Sequence, residues 1–171
     1  MLKTIENHIN GKSVAILGFG REGRATLPWV FKAGCTSKIA IIDRNPVTLP
    51  EDLKEYSDNI EIITGEDYQK CLNDFDVIFK SPGIVLEQDK DFYRCKILSE
   101  MDIFFERYKN QIIGITGTKG KSTTTTLMYH VLKTAGKKAL LAGNIGIPVF
   151  DIAKDIDEDT ILVVELSCHQ L

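Results

Sequence analysis

A chain of 171 residues with 43% apolar content can hold one ordinary domain or two small α/β units, and it is too apolar to be a disordered chain. Its formal net charge of −3 and the lack of a basic run argue against nucleic acid as the main partner, although nucleotide binding needs only local positive charge. The four cysteines, Cys35, Cys71, Cys95 and Cys168, lack Cys-x-x-Cys or Cys/His spacing, so neither a zinc site nor a disulfide framework is expected. The polar start, MLKTIENHINGKS, has no signal-peptide core, and no apolar run approaches the ~20 residues of a membrane span. The expectation is a soluble cytoplasmic protein that contacts no membrane.

Ser13 to Leu17 reads as a short buried strand running into Gly18-Phe19-Gly20-Arg21-Glu22-Gly23, a G-x-G-x-x-G turn that can bring backbone close to a diphosphate. A helix follows, with Leu27, Val30 and Phe31 inward and Gly34 as its stop. Pro28 removes one hydrogen bond and crowds the preceding turn, which predicts a kink or a late start. Lys38 to Ile42 is a second strand, and Asp43 at its end stands about 20 residues beyond Gly23, where dinucleotide-binding folds place a ribose-binding acid. The turn alone does not choose among NAD, a nucleotide sugar and a purely structural use. Ile60 to Thr64 and Val77 to Phe79 are further strands, the latter breaking at Lys80-Ser81-Pro82-Gly83-Ile84. The spacing predicts a parallel sheet with helices on both faces, on whose carboxyl edge Gly18 to Gly23, Asp43-Arg44 and Ser81-Pro82-Gly83 meet.

Gln111 to Thr126, QIIGITGTKGKSTTTT, reads as strand, glycine turn and helix start in the order that binds phosphate. A triphosphate needs convergent N–H donors, a mobile cation and a hydroxyl on Mg²⁺, and this loop supplies all three. The strict G-x-x-x-x-G-K-[ST] pattern fails by one place, since Ile115 stands where its first glycine belongs. Ser122 to Ala135 is the helix, with Leu127, Val131 and Leu132 inward, Met128 partly so, and Gly136 as the stop. Its threonines are poor helix formers; the hydroxyls of Thr123 and Thr124 can donate to phosphate oxygens or simply cap the helix. Ala139 to Ala142 is a strand ending in the turn Gly143-Asn144-Ile145-Gly146. Thr160 to Val164 is an apolar strand ending in Glu165, an arrangement that delivers a carboxylate to a metal beside a phosphate loop.

Thr116-Gly117-Thr118-Lys119-Gly120-Lys121-Ser122 resembles the T-G-T-x-G-K-[ST] loop of the Mur ligases, the ATP-dependent amino-acid ligases of peptidoglycan precursor synthesis. Ser81-Pro82-Gly83-Ile84 looks like the matching turn of the D-glutamate-adding branch, and Ser99 to Phe104 resembles the S-E-I-E-L-F stretch that closes the family's N-terminal domain. Gly143 to Gly146 matches the family's G-N-I-G. Glu165-Leu166-Ser167-Cys168-His169-Gln170-Leu171 resembles its E-L-S-S-x-Q-L, with Cys168 in place of the second serine.

The resemblance implies an α/β chain with a Rossmann-like parallel-sheet domain at 1–106, a polar linker from Arg107 to Asn110, and the first part of a P-loop α/β ATPase domain at 107–171. It implies ATP-dependent amide-bond formation between UDP-N-acetylmuramoyl-L-alanine and D-glutamate through an acyl phosphate, with ATP and Mg²⁺ as cofactors and a monomeric parent enzyme. Lys121 and Glu165 become the catalytic residues, Gly117, Thr118, Lys119, Gly120, Lys121, Ser122 and Thr123 the ATP loop, and Ser122 and Glu165 the metal ligands. The UDP substrate falls to Gly20, Arg21, Glu22, Asp43, Arg44, Ser81, Pro82, Gly83 and Asn144. Arg44 comes one place earlier than the arginine of the D-glutamate-adding enzymes, where Asn45 stands. An NAD-dependent oxidoreductase and a P-loop regulatory NTPase remain the alternatives. The family's enzymes are longer, so the chain is expected to be an inactive fragment with an incomplete second sheet and exposed apolar surface.

Overall fold

The computed structural model describes residues 1–167, so Cys168, His169, Gln170 and Leu171 lie outside the described residues. The chain divides into two compact units, 1–103 and 104–171.

The first unit holds β1 (Ser13–Leu17), β2 (Lys38–Asp43), β3 (Glu61–Thr64), β4 (Val77–Lys80) and β5 (Lys96–Leu98), in the order β3-β2-β1-β4-β5 with every pair parallel. The central strands are near-continuous apolar runs because both their faces are covered, as parallel sheets require. Ala15, Leu17, Ala40, Ile42 and Ile78 share one core cluster with Leu72 and Phe75. Edge strand β3 is mostly exposed, and Lys38 pairs with Glu61 across it. The amino ends of β1 and β4 are tied by Asp76, whose Oδ2 accepts the Ser13 N–H at 2.8 Å and its hydroxyl at 2.7 Å. Those bonds hold the Asp76 carboxyl below the usual carboxylate range.

Helix α1 (Leu2–Ile9) packs on α2 (Arg21–Ala33) and fully buries Ile5 and Ile9, one helical turn apart. α2 starts at Arg21 without delay, so the late start expected from Pro28 does not occur; the proline sits in the helix interior. Leu27 and Val30 are buried, whereas Phe31 is half-buried and stacks on Tyr56 at 4.4 Å. Gly34 closes the helix in the left-handed conformation. α3 (Glu100–Tyr108) and a 3₁₀ turn at Lys109–Gln111 replace the expected polar linker. The reason is local: Tyr108 is buried and its ring lies 5.0 Å from that of Phe104, four residues back, so an added turn of helix covers apolar surface.

The second unit holds β6 (Ile112–Ile115), β7 (Ala139–Gly143) and β8 (Ile161–Glu165), parallel in the order β6-β8-β7, with α4 (Lys121–Thr134) and α5 (Val149–Ile152). Gln111 Nε2 donates to Asp157 O at 2.6 Å and Thr160 O at 2.9 Å, joining the amino ends of β6 and β8. α4 is turned differently from its apolar pattern. Its buried residue is Thr125, whose hydroxyl donates to Lys121 O at 2.7 Å, while Leu127 and Val131, expected inward, are 62% and 55% exposed. At 100° per residue both lie on the side opposite Thr125, and half-buried Met128 and Leu132 share its face.

Gly23 in α2 tests the fold directly. A Cβ there would stand 2.2 Å from Gly18 O, whereas one on Gly83 would meet nothing within 4 Å. Gly23→Ala should therefore cost about 1–3 kcal/mol, and Gly83→Ala about 0.5 kcal/mol or less, in urea unfolding. Equal losses for the two variants would contradict the close approach.

Candidate functional site

In the first unit the sequence order reverses direction between β1 and β4, so their carboxyl ends open a crevice of the kind that takes ligands in parallel sheets. The glycine loop lies in it. Gly18 N–H donates to Ile42 O at 2.8 Å, Phe19 N–H donates to Asp43 Oδ2 at 2.8 Å, and Ser81 Oγ donates to Gly18 O at 2.9 Å. Gly20, Arg21, Asp43, Ser81, Pro82 and Gly83 thus lie along one edge, with Glu22 in the first turn of α2. Asp43 Oδ1 also accepts the Asn45 N–H at 2.9 Å, so each of its oxygens takes one backbone donor and braces the loop, with acceptor capacity left over. Arg44 is exposed at the end of β2. Burial pushes the Glu22 carboxyl up against the opposing pull of the Lys80 ammonium.

In the second unit β6 runs into the exposed loop 116–120 and α4 begins at Lys121 behind Gly120, which takes φ 76°. The N–H groups of Lys121, Ser122 and Thr123 belong to the first turn and find no carbonyl within their own helix, which makes the turn an anion seat. Lys121 Nζ bends back to donate to Gly117 O at 2.9 Å, over the loop it would serve. Ser122, Thr123 and Thr124 are exposed there. Glu165 ends β8 opposite Ile115 on one side and Gly143 on the other. It is buried, its Oε1 accepts Asn144 Nδ2–H at 3.1 Å, and its Oε2 is buried without a hydrogen-bond partner.

A buried carboxylate oxygen with no donor is costly in a protein and suited to a cation. Mg²⁺ takes one or two carboxylates and fills its octahedron with phosphate oxygens and water, so the lone acid and the Ser122 hydroxyl are a sufficient donor set. Among the described residues no cluster of three or more His, Cys, Asp or Glu side chains offers an all-protein metal cage. Asn144, expected at the UDP substrate, is tied to Glu165 twice, by its side chain and by its N–H to Glu165 O at 3.0 Å. Sequence reasoning missed that link and also Lys80, which follows the strand as an ordinary basic residue.

Each unit is therefore a parallel α/β layer with a glycine turn at its carboxyl edge, the construction of nucleotide-binding proteins. Residues 12–90 match the Mur ligase MurD-like N-terminal domain and residues 115–171 the Mur ligase middle domain. This chain belongs to the Mur ligase family. It is 36% identical over 170 residues to UDP-N-acetylmuramoylalanine--D-glutamate ligase of Clostridium kluyveri, covering 95% of this chain and 36% of that one. The same ligase of Clostridium botulinum is 34% identical over 175 residues, covering 97% of this chain and 37% of that one. The chain thus spans little more than a third of the length of these relatives. A UDP-N-acetylmuramate:L-alanyl-gamma-D-glutamyl-meso-diaminopimelate ligase from Neisseria meningitides superposes with a TM-score of 0.48 at 18% identity, over 91% of this chain and 52% of that one, too distant a likeness to speak to function.

Asn144→Ala should destabilise the chain by about 1–3 kcal/mol in urea, because it strips Glu165 of its side-chain donor while leaving the carboxylate buried. Unchanged stability would show that Asn144 does not support the acid.

Proposed function

We propose that this chain is the sugar-nucleotide and ATP-binding part of a cytoplasmic ligase of peptidoglycan precursor synthesis, which joins D-glutamate to UDP-N-acetylmuramoyl-L-alanine. The observation that carries the reading is Glu165, buried with one oxygen lacking a partner, on the strand beside the one that leads into the Lys121 loop. That pairing of acid and loop is the requirement of phosphoryl transfer, in which the protein positions and neutralises charge. In the reaction the substrate carboxylate attacks the γ-phosphorus of ATP, ADP leaves, and the resulting acyl phosphate is open to the D-glutamate amine. Phosphate then departs as the amide forms.

Gly117, Thr118, Lys119, Gly120, Lys121, Ser122 and Thr123 would seat the phosphates, with Lys121 moving from Gly117 O onto the transferring group. Ser122 and Glu165 would hold Mg²⁺, which would supply positive charge against that of the phosphates. Asn144 would keep Glu165 in place. Gly20, Arg21, Glu22, Asp43, Arg44, Ser81, Pro82 and Gly83 would form the UDP edge, within a substrate domain at 1–106 followed by the ATP-binding portion at 107–171.

Titrating the chain in parallel with UDP-N-acetylmuramoyl-L-alanine and NADH tests the assignment: the sugar nucleotide should bind, and NADH should not. Tight NADH binding without competition from the sugar nucleotide would overturn it. In a chain of the relatives' full length, Lys121→Ala should lower turnover by ~10² to 10³ while sparing sugar-nucleotide affinity, because the ammonium acts on charge that develops in the transition state. Parallel losses of rate and sugar-nucleotide affinity would argue against two separate sites.

A further inference from the structure

Lys80 ends β4 in register with Leu17, the residue before the glycine loop. Its Nζ donates to Ser81 O at 3.2 Å and to Ile84 O at 2.9 Å, carbonyls at the two ends of the Ser-Pro-Gly turn. That turn presses on the loop: Ser81 N–H donates to Leu17 O at 2.9 Å, Ser81 Oγ donates to Gly18 O at 2.9 Å, and Ile84 Cγ1 lies 3.0 Å from where a Cβ on Gly18 would stand. Lys80 is half-buried, and burial together with nearby Lys90 pulls its ammonium down while Glu22 pulls it up. Glu22 occupies the first turn of α2, where a diphosphate would meet the helix N–H groups. A carboxylate in that place repels a diphosphate unless a cation offsets it. Lys80 is a half-buried cation whose field reaches Glu22.

We infer that Lys80 is a positioning residue of the sugar-nucleotide edge, an inference that rests on that edge taking a UDP-linked sugar. Its ammonium holds the Ser-Pro-Gly turn against the glycine loop and offsets Glu22, so that the edge accepts a diphosphate.

Calorimetric titration of the chain with UDP and with uridine separates charge from shape. Lys80→Met should weaken UDP by about tenfold or more, the weight of a charge-assisted contact, with uridine affinity unchanged; Lys80→Arg should recover most of the loss. Equal weakening of both ligands would reduce Lys80 to a support of the turn, and unchanged UDP affinity would remove it from the site; either result overturns the inference. If Lys80→Met does not fold, Glu22→Gln carries the test. Removing the charge that Lys80 offsets should raise the ratio of UDP to uridine affinity severalfold, and an unchanged ratio would overturn the inference. A wild-type chain that binds neither ligand would bring down the reading of the edge itself, and the role of Lys80 with it.

Discussion

Both functional edges depend on a backbone carbonyl passing through space that any Cβ would fill. Gly23 lets α2 close onto Gly18 O, and Gly143 lets β7 close onto Glu165 O; in each case an added Cβ would stand 2.2 Å from the oxygen. The first contact seats the start of α2 against the loop that leaves β1. The second lets β7 run beside the acid-bearing end of β8, which is why Asn144, the next residue, can bond Glu165 by both its N–H and its side chain. A methyl group at either place would push apart the elements whose ends make the site.

Parallel pairing then does the rest. Because all strands of a sheet point one way, their carboxyl ends share an edge, and residues distant in sequence arrive together: Gly18, Asp43 and Ser81 in one unit, Gly120, Asn144 and Glu165 in the other. The two edges handle charge differently. In the first unit the Lys80 ammonium opposes the effect of burial on the Glu22 carboxyl, and Asp43 braces backbone with both oxygens. In the second, Glu165 keeps a buried oxygen without a donor, and the Lys121 ammonium bonds a carbonyl of its own loop.

Much of this was legible because glycine turns after apolar strands have a geometric cause. Strands β1, β2, β3, β4, β6, β7 and β8 and helices α2 and α4 follow from apolar or alternating runs between turn signals, and Glu165 follows from its place at a strand end. Less visible were elements with thin signals. α1 hides its apolar stripe in Ile5 and Ile9 within a polar stretch, and β5 has three residues, with Leu98 buried. The phase of α4 was misread because its apolar side chains suggested an inward face, whereas the phosphate loop fixes where the helix starts and so turns Leu127 and Val131 outward. Asn144 reads as a turn residue and Lys80 as a surface base until the chain is folded, since their meaning lies in partners up to 21 residues away or in carbonyls of an adjacent turn.

The central claim is that one chain carries two separate nucleotide edges with different ligands. Amide chemical-shift mapping on the isotopically labelled chain tests it most directly. UDP-N-acetylmuramoyl-L-alanine should move the amides of residues 18–22, 43–45 and 80–84, and Mg²⁺ with a non-hydrolysable ATP analogue those of 116–124, 143–146 and 165. Perturbation of the same residues by both ligands, or of the second set by the sugar nucleotide alone, would contradict it.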